Sequence, residues 1–287
     1  MRASVLYLVL VGVFVFAGNS SVVQASVTKK EQRIIALSPH SVEMLYAIGA
    51  GDRIVGTVEW SDFPEEAKVI ERVGNYAGIN IERVVELKPD FIIAWRSGNK
   101  SADLNKLESL GFQMVYSNPS SIENIGEELL TLGQLTGLEE NARNTIRTIL
   151  AKRDLIKKRF EKEAKVKVFY QLWHDPLRTV GPKSWISRLI EDCNATNVFD
   201  DTDAGYPLVS LESVLLKDPH VIIVPSHSGR ADESKNIWSK WQDIQAVANQ
   251  NIYHLNGDLL HRFSPRAVDG LETLCNAIHK GRKTIRE

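Results

Sequence analysis

The amino-acid sequence predicts an α/β protein of two small parallel-sheet lobes, joined by one long rigid helix and separated by a cleft. In each half of the chain, short apolar segments alternate with helical patterns, and a motif of the first half recurs in the second. A charged stretch without Gly or Pro lies between the halves. Apolar strands that alternate with helices are typical of parallel sheets covered on both faces. We expect the lobes at 26–137 and 164–287 and the linking helix at 138–163.

The first 25 residues have the pattern of a secretory signal peptide. Arg2 precedes an apolar run over 5–17, and a polar stretch then leads to small residues at 23–25. This order predicts export to the periplasm and cleavage before Ser26. The apolar run is shorter than the roughly 20 residues of a membrane-spanning helix, and an uncleaved anchor is the alternative.

Charge and cysteine content restrict the class of protein further. The chain has 35 basic and 36 acidic residues, a balance that predicts no nucleic-acid partner. Its two cysteines, Cys193 and Cys275, favour a disulfide in an exported chain, and two separate buried thiols are the alternative. A bridge between positions 82 apart would contribute about 4–5 kcal/mol in the chain-entropy model.

Four strands and four helices are predicted in the first lobe. Gly or Pro follows each helical pattern and ends it, and Ser41 can cap the first helix. The predicted strands are 33–37, 54–57, 91–94 and 113–116, and the predicted helices are 41–48, 81–87, 102–110 and 121–137.

The stretch 138–162 has apolar residues at a helical period and a surface rich in Lys, Arg and Glu. We interpret it as one linking helix of about 25 residues, near 37 Å at 1.5 Å per residue, and an ordinary domain helix is the alternative. The pattern of the first lobe then returns. We predict strands at 166–170, 221–224 and 252–255, and helices at 185–193, 211–216, 237–247 and 267–280.

An internal repeat relates the two lobes. The segment 82–93 can be laid over 212–223, and a glutamate, a valine, the proline and two isoleucines coincide. Each copy indicates a short helix, a Pro stop and a buried strand. The match could therefore arise from shared local structure alone, which is the alternative to two related lobes. Because open α/β sheets bind ligands beyond the carboxyl ends of their strands, two such lobes predict a ligand cleft lined by the loops after the strands.

Large aromatic residues stand in these loops, and aromatic loop residues are stiff binding surfaces with polar handles. Each of them could instead cap the core of its lobe. Histidines also fall there, without the local spacing of a metal site, and no catalytic or phosphate-binding motif is present. We therefore predict a binding protein without metal or cofactor, and a metal-dependent enzyme is an alternative. The aromatic residues are Trp60, Tyr76, Trp95, Trp173 and Tyr206, and the histidines are His40, His174, His227 and His261.

Glu82 and Glu212 occupy equivalent positions at the starts of two helices. One interpretation is a favourable interaction with the helix dipole, worth less than about 1 kcal/mol. The other is one docking point on each lobe for basic residues of a partner. The pattern alone leaves both interpretations open.

Several segments resemble the cobalamin-binding periplasmic proteins of ABC importers. The resemblance covers essentially the whole mature chain, although siderophore and haem binders share its strand–helix–Pro–strand pattern. The segment Trp95-Arg96-Ser97-Gly98-Asn99 is more specific to the cobalamin branch. The other segments are 34–39, 60–64, 81–90, 264–266 and 274–277.

The resemblance implies a corrinoid, cobalamin, bound between the lobes and delivered to an inner-membrane permease dimer with its ATPase subunits. It favours pairing of Glu82 and Glu212 with permease arginines, and Cys193 and Cys275 match the disulfide of the family. We expect a monomer when the protein is free. The expected ligand-binding residues are Pro39, Trp60, Tyr76, Trp95, Arg178, Tyr206, Asp258, Leu259, Leu260, His261 and Arg262.

This chain departs from the family in lobe two. Leu259 and Leu260 stand where the family tends to carry aromatics, and Arg178 stands where an apolar aromatic is expected. Both departures would weaken stacking by that lobe. They could also tune which corrinoid is preferred. A ferric-siderophore or haem binder of the same architecture is the alternative function, with arginines serving anionic groups and Tyr76 or Tyr206 ligating haem iron. The arginines are Arg96, Arg178 and Arg262.

Overall fold

The structure is a computed structural model that describes residues 32–226 and 237–285. The predicted signal peptide and its cleavage site lie outside these residues, as does His227. Two sheets, one parallel and one parallel except for a single edge strand, form two lobes with helices packed around them, which confirms the predicted fold class. None of the helices in the described part of the chain is long and apolar enough to cross a membrane.

Lobe one is built on a six-stranded sheet. Its strands are β1 (Ile34–Ala36), β2 (Ile54–Val58), β3 (Arg72–Asn75), β4 (Gly78–Ile79), β5 (Phe91–Trp95) and β6 (Met114–Ser117). Its α-helices are α1 (Pro39–Ala47), α2 (Ile81–Leu87), α3 (Ser101–Ser109) and α4 (Ile122–Thr136), after which α5 (Glu139–Phe160) leads to lobe two. The strand order is β4-β3-β2-β1-β5-β6, and all neighbours are parallel except β3 and β4.

Lobe two is built on a four-stranded parallel sheet and a small antiparallel hairpin. Its strands are β7 (Lys167–Tyr170), β8 (Trp173–His174), β9 (Leu177–Arg178), β10 (Thr196–Asn197), β11 (Val221–Ser226) and β12 (Ile252–Asn256). Its helices are α6 (Trp185–Asp192), α7 (Leu211–Lys217), α8 (Gln245–Ala248), α9 (Gly257–His261) and α10 (Ala267–Arg282). The sheet order is β10-β7-β11-β12, and β8 pairs with β9.

The helix α5 has 22 residues, so it is about 33 Å long. It packs against α4 of lobe one and α10 of lobe two. Near its start, the Asn141 side chain donates to the carbonyl of Ile48 in lobe one at 2.9 Å. Further along, Lys152 pairs with Asp269 of lobe two. Both lobes are thus attached to one helix, as predicted, although the helix is slightly shorter than expected.

Local chemistry explains where several helices begin and end. Ser38, rather than Ser41, is the N-cap of α1, because its hydroxyl accepts the Ser41 N–H at 3.3 Å. Pro39 then fits the first helical position, where its missing N–H leaves nothing unpaired. Gly137 ends α4 with a φ of 71°, a left-handed conformation that glycine adopts readily.

The predicted helix over 237–247 is wrong, since only α8 is helical there and 237–244 forms turns. The side chain of Trp238 explains the difference. It is 2% exposed, and its indole N–H donates to Gln171 at 2.6 Å. Packing into the core of lobe two therefore outweighs the helical period of this segment.

The structure confirms the disulfide, and it gives the two copies of the repeat the same local structure, which both related lobes and shared local structure alone would produce. The helices α2 and α7 each have seven residues, and each ends in a left-handed residue, Lys88 with φ 47° and Asp218 with φ 45°. The strands β5 and β11 then begin at equivalent distances from the two helices. The bond between Cys193 and Cys275 joins the end of α6 to α10.

Candidate binding cleft

Residues at the carboxyl ends of the lobe-one strands meet lobe two at the boundary between the lobes. His40 follows β1 and Trp95 ends β5, and both rings meet Phe263 of lobe two edge-on, with centroids 5.9 and 6.2 Å apart. Phe263 also contacts Trp185 of α6 at 5.2 Å. Phe263 is therefore an aromatic contact between the lobes where the strand ends converge, and we describe this region as the cleft floor.

Charged residues join the lobes beside this aromatic contact. The guanidinium of Arg262 donates to Glu43 at 3.1 Å and to Asp62 at 2.6 Å, and it lies 3.4 Å from Asp258. Arg266 donates to the other oxygen of Glu43 at 2.9 Å. Burial lowers the pKa of Arg262, but hydrogen bonds to Asp62 and Glu43 outweigh burial and raise it. Arg262 therefore connects the lobes as a cation. We call these five residues the interlobe ion cluster.

His40 gives the cleft floor a neutral polar group. Its ring is 3% exposed, and its Nε2 lies 2.8 Å from the hydroxyl of Ser117, which in turn donates to Glu128. Because that hydroxyl has only one proton, it must accept from an Nε2–H of His40. Burial lowers the pKa of His40 to about 3, so the ring is uncharged near neutral pH.

Trp60 is held in an unusual conformation at the end of β2. Its φ is 67°, a left-handed value that is rare for a bulky residue, and its side chain is 53% exposed. Backbone strain of this kind is concentrated at functional sites. Trp60 therefore presents a half-exposed aromatic surface on the loop whose Asp62 belongs to the interlobe ion cluster.

The loop after β5 is built around Trp95. The side chain of Asn99 accepts the backbone N–H of Trp95 at 2.7 Å and donates to the Leu37 carbonyl at 2.8 Å. A Cβ on Gly98 would lie 2.0 Å from the indole, so only glycine allows this approach. The indole Nε1 is buried without a hydrogen-bond partner among the described residues. The segment 95–99, which is the most specific part of the resemblance, thus fixes the orientation of Trp95.

Other predicted residues expose aromatic surface on both lobes. Tyr76 follows β3 and is 87% exposed, whereas Trp173 and Tyr206 of lobe two are about half-exposed. Trp173 lies opposite Arg178 in the β8–β9 hairpin. Arg178 donates to the carbonyl of Tyr206 at 2.8 Å, so it positions the Tyr206 loop.

One predicted ligand-binding residue in the segment after β12, which contains α9, requires correction. Leu260 is fully buried, and its carbonyl accepts the indole N–H of Trp185 at 2.8 Å, so its side chain packs in the core and does not line the cleft. Asp258 and Leu259 are partly buried. His261 is also partly buried, and its Nε2 is 2.8 Å from the hydroxyl of Tyr170. Pro39 is partly buried at the start of α1.

Sequence reasoning missed several residues of the cleft floor, namely Glu43, Phe63, Phe263, Ser264 and Arg266. One signal pointed to Glu43, because it is the only Asp, Glu, Lys or Arg residue in the first helix and it lies between Val42 and Met44. A carboxylate in such a position is buried only if it is paired. Its partners come from the other lobe, and nothing in the local sequence identifies them.

The structure places Glu82 and Glu212 at the second position of α2 and α7, where both are exposed. The pKa of Glu212 is lowered by its own backbone N–H and by the Ser210 hydroxyl, which agrees with a favourable interaction at the helix start. Docking by these residues stays a prediction. No group of three or more His, Cys, Asp or Glu residues is arranged to hold a metal in the described ranges.

Comparisons with known proteins extend this picture. Residues 34–259 match the model of the periplasmic binding protein family. A vitamin B12-binding protein of Vibrio vulnificus (strain YJ016) is 38% identical over 245 residues, which cover 85% of this chain and 89% of that protein. The vitamin B12-binding protein of Salmonella paratyphi A is 36% identical over 246 residues, covering 86% and 90%.

Solved structures agree with these relatives. The crystal structure of the periplasmic vitamin B12 binding protein of Vibrio cholerae has a TM-score of 0.80 and 35% identity, and the match covers 88% of this chain and 98% of that chain. A periplasmic haem-binding protein from Roseiflexus sp. RS-1 has a TM-score of 0.77 over 88% of this chain and 99% of that chain. At 18% identity, the second match shows the fold alone.

Proposed function

Since this chain belongs to the periplasmic binding protein family, we propose that it captures a corrinoid, cobalamin, in the cleft between its lobes and delivers it to an ABC permease. In this role it is a binding protein and not an enzyme. The observation that carries the proposal is the exposed aromatic surface at the strand ends of both lobes, on Trp60, Tyr76 and Tyr206. A broad, flat macrocycle fringed with amides suits such walls beside a few polar groups.

The interactions that three cleft arginines already make within the protein favour a corrinoid over an anionic ferric siderophore. Arg262 is paired with carboxylates of lobe one, and Arg178 donates to the Tyr206 carbonyl. Arg96 lies over the ring of Tyr116, with its guanidinium carbon 3.8 Å from the centroid. All three arginines that would serve an anionic ligand are thus engaged within the protein.

Delivery requires export and docking. We propose that cleavage before Ser26 releases the mature chain into the periplasm as a monomer, with lobes at 26–137 and 164–287. We further propose that Glu82 and Glu212 pair with arginines of a permease dimer that carries ATPase subunits. Their exposure and their equivalent positions in the repeat support this pairing.

A calorimetric ligand panel tests the proposal. The mature chain, purified with its disulfide intact, is titrated separately with cyanocobalamin, a ferric hydroxamate and haemin. We expect saturable one-site binding of cyanocobalamin at micromolar concentration or below. We also expect Trp60→Leu to weaken it, while Leu155→Ala, an exposed change on α5, leaves it unaltered. A Soret band with haemin, together with no saturation by cyanocobalamin, would replace the corrinoid by haem.

A further inference from the structure

Glu43 belongs to lobe one, but all of its side-chain partners belong to lobe two. Its carboxylate is buried, with 2% of the side chain exposed. Arg266 donates to it through two N–H groups, Nε to one oxygen and Nη2 to the other. The hydroxyl of Ser264 and the guanidinium of Arg262 also donate to it. A guanidinium that grips both oxygens of a carboxylate fixes orientation as well as distance.

A second contact holds Arg266 against lobe one. Its guanidinium carbon lies 3.5 Å from the centroid of the Phe63 ring, on the loop after β2. Arg266 is therefore held by a carboxylate and an aromatic face that both come from lobe one. Because a buried carboxylate is costly without partners, a lobe movement that withdrew Arg266 while Glu43 stayed buried would be unfavourable.

We infer that the Glu43–Arg266 pair is an interlobe clamp that sets the spacing of the cleft before a ligand arrives. Glu43 acts as a positioning residue for the segment 262–266 between α9 and α10, because Arg262 and Arg266 both bind the Oε1 atom of Glu43. Phe263 lies between these two arginines in the chain and contacts Trp95 across the cleft floor. The effect on cobalamin affinity rests on the proposed function, whereas the effect on lobe spacing does not.

Spin labels measure the spacing directly. Lys106→Cys in lobe one and Lys183→Cys in lobe two are both at exposed positions, and the native cysteines are occupied by their disulfide. Interlobe distances are recorded by double electron–electron resonance with and without cyanocobalamin. We expect one narrow distribution that the ligand leaves in place, and a broader one in Glu43→Gln.

Three variants and a control complete the design. Arg266→Lys keeps the charge but loses the two-pronged grip, so we expect an intermediate broadening. Glu43→Gln is expected to weaken cyanocobalamin binding about tenfold, because the segment 262–266 is no longer held in place. Glu66→Gln, an exposed change in the surface cavity that Glu43, Phe63 and Arg266 also line, should alter neither distance nor affinity. If Glu43→Gln does not fold, the neutral pair Glu43→Gln with Arg266→Gln provides the same measurement.

A narrow, unshifted distance distribution in a folded Glu43 variant overturns the clamp, whatever happens to affinity. If the distribution broadens while the wild-type chain shows no cobalamin binding, the clamp stands and the proposed function fails.

Discussion

Gly98→Ala is the substitution that most sharply tests how the cleft presents Trp95. A Cβ at this position would lie 2.0 Å from Cε3 of the indole, whereas ordinary van der Waals contact begins at 3.4 Å. The two groups must therefore separate by about 1.4 Å, the difference between these distances. Since Asn99 fixes the backbone of the loop through its bonds to Trp95 and Leu37, we expect the indole to move.

Movement of the indole disturbs its edge contacts with His40 and Phe263, at 5.4 and 6.2 Å. Aromatic pairs of this kind contribute about 0.5–1.5 kcal/mol beyond their buried area. If the free energy of binding falls by this amount, the affinity for cyanocobalamin decreases by about twofold to tenfold.

Calorimetric titration gives the affinity of this variant, and near-ultraviolet circular dichroism reports the environment of the indole. Gly205→Ala is the matched control, because a Cβ there meets no atom within 4 Å and Gly205 also lies in a loop of the cleft. Unchanged affinity together with an unchanged spectrum for Gly98→Ala would show that Gly98 does not control the position of the Trp95 indole.

Three further predictions concern pH, the disulfide and docking. His40→Gln removes a group whose pKa falls from 6.5 to about 3 on burial. Between these two pH values, His40 binds a proton in the unfolded chain but not in the folded chain. The contribution of the neutral His40 ring to the free energy of unfolding is therefore complete above about pH 6.5 and is lost as the pH falls toward 3. Urea unfolding should show the wild type losing about 1.4 kcal/mol more than the variant between pH 7.5 and 5.5, and equal losses would contradict the burial of a neutral ring. Replacing Cys193 and Cys275 by Ser should lower the free energy of unfolding by about 4–5 kcal/mol, and a loss near zero would contradict the predicted constraint. Glu82→Lys with Glu212→Lys should abolish transport by the permease in vesicles and leave cyanocobalamin affinity intact, and retained transport would exclude docking through these residues.

Much of the fold is predictable because local signals and packing agree. The helix α2 was predicted with its observed bounds, since an apolar period and the following Pro89 both mark it. Its repeat α7 differs by one residue from the prediction. Seven strands of the two sheets were predicted within one or two residues, because their apolar runs lie between clear stops: β1, β2, β5, β6, β7, β11 and β12. The strand β3 of the first sheet was not predicted.

The elements that were missed are short or depend on distant contacts. The strands β4 and β10 have two residues each, which is too few for a period to appear. The helix α9 begins at Gly257 and is capped by the side chain of Asn256, but its five residues give no amphipathic pattern. Tertiary packing of Trp238 likewise replaced a predicted helix by turns.

The site was predicted unevenly for the same reason. Exposed loop aromatics such as Trp60 and Tyr206 were predicted from their residue type and their place after strands. The partners of Glu43 lie more than 200 positions away in the chain, so only the folded structure brings them together. Leu260, which was predicted to line the cleft from a loop, lies in α9 and belongs to the core.

A crystal structure of the mature chain with cyanocobalamin would show directly whether the cleft between the lobes holds the ligand. We expect one corrinoid per chain, with its ring between the lobes and in contact with Trp60, Trp95 and Tyr206, and with Glu43 still bound to Arg266. A corrinoid bound outside the cleft, or a cleft that stays empty at saturating ligand, would contradict this expectation.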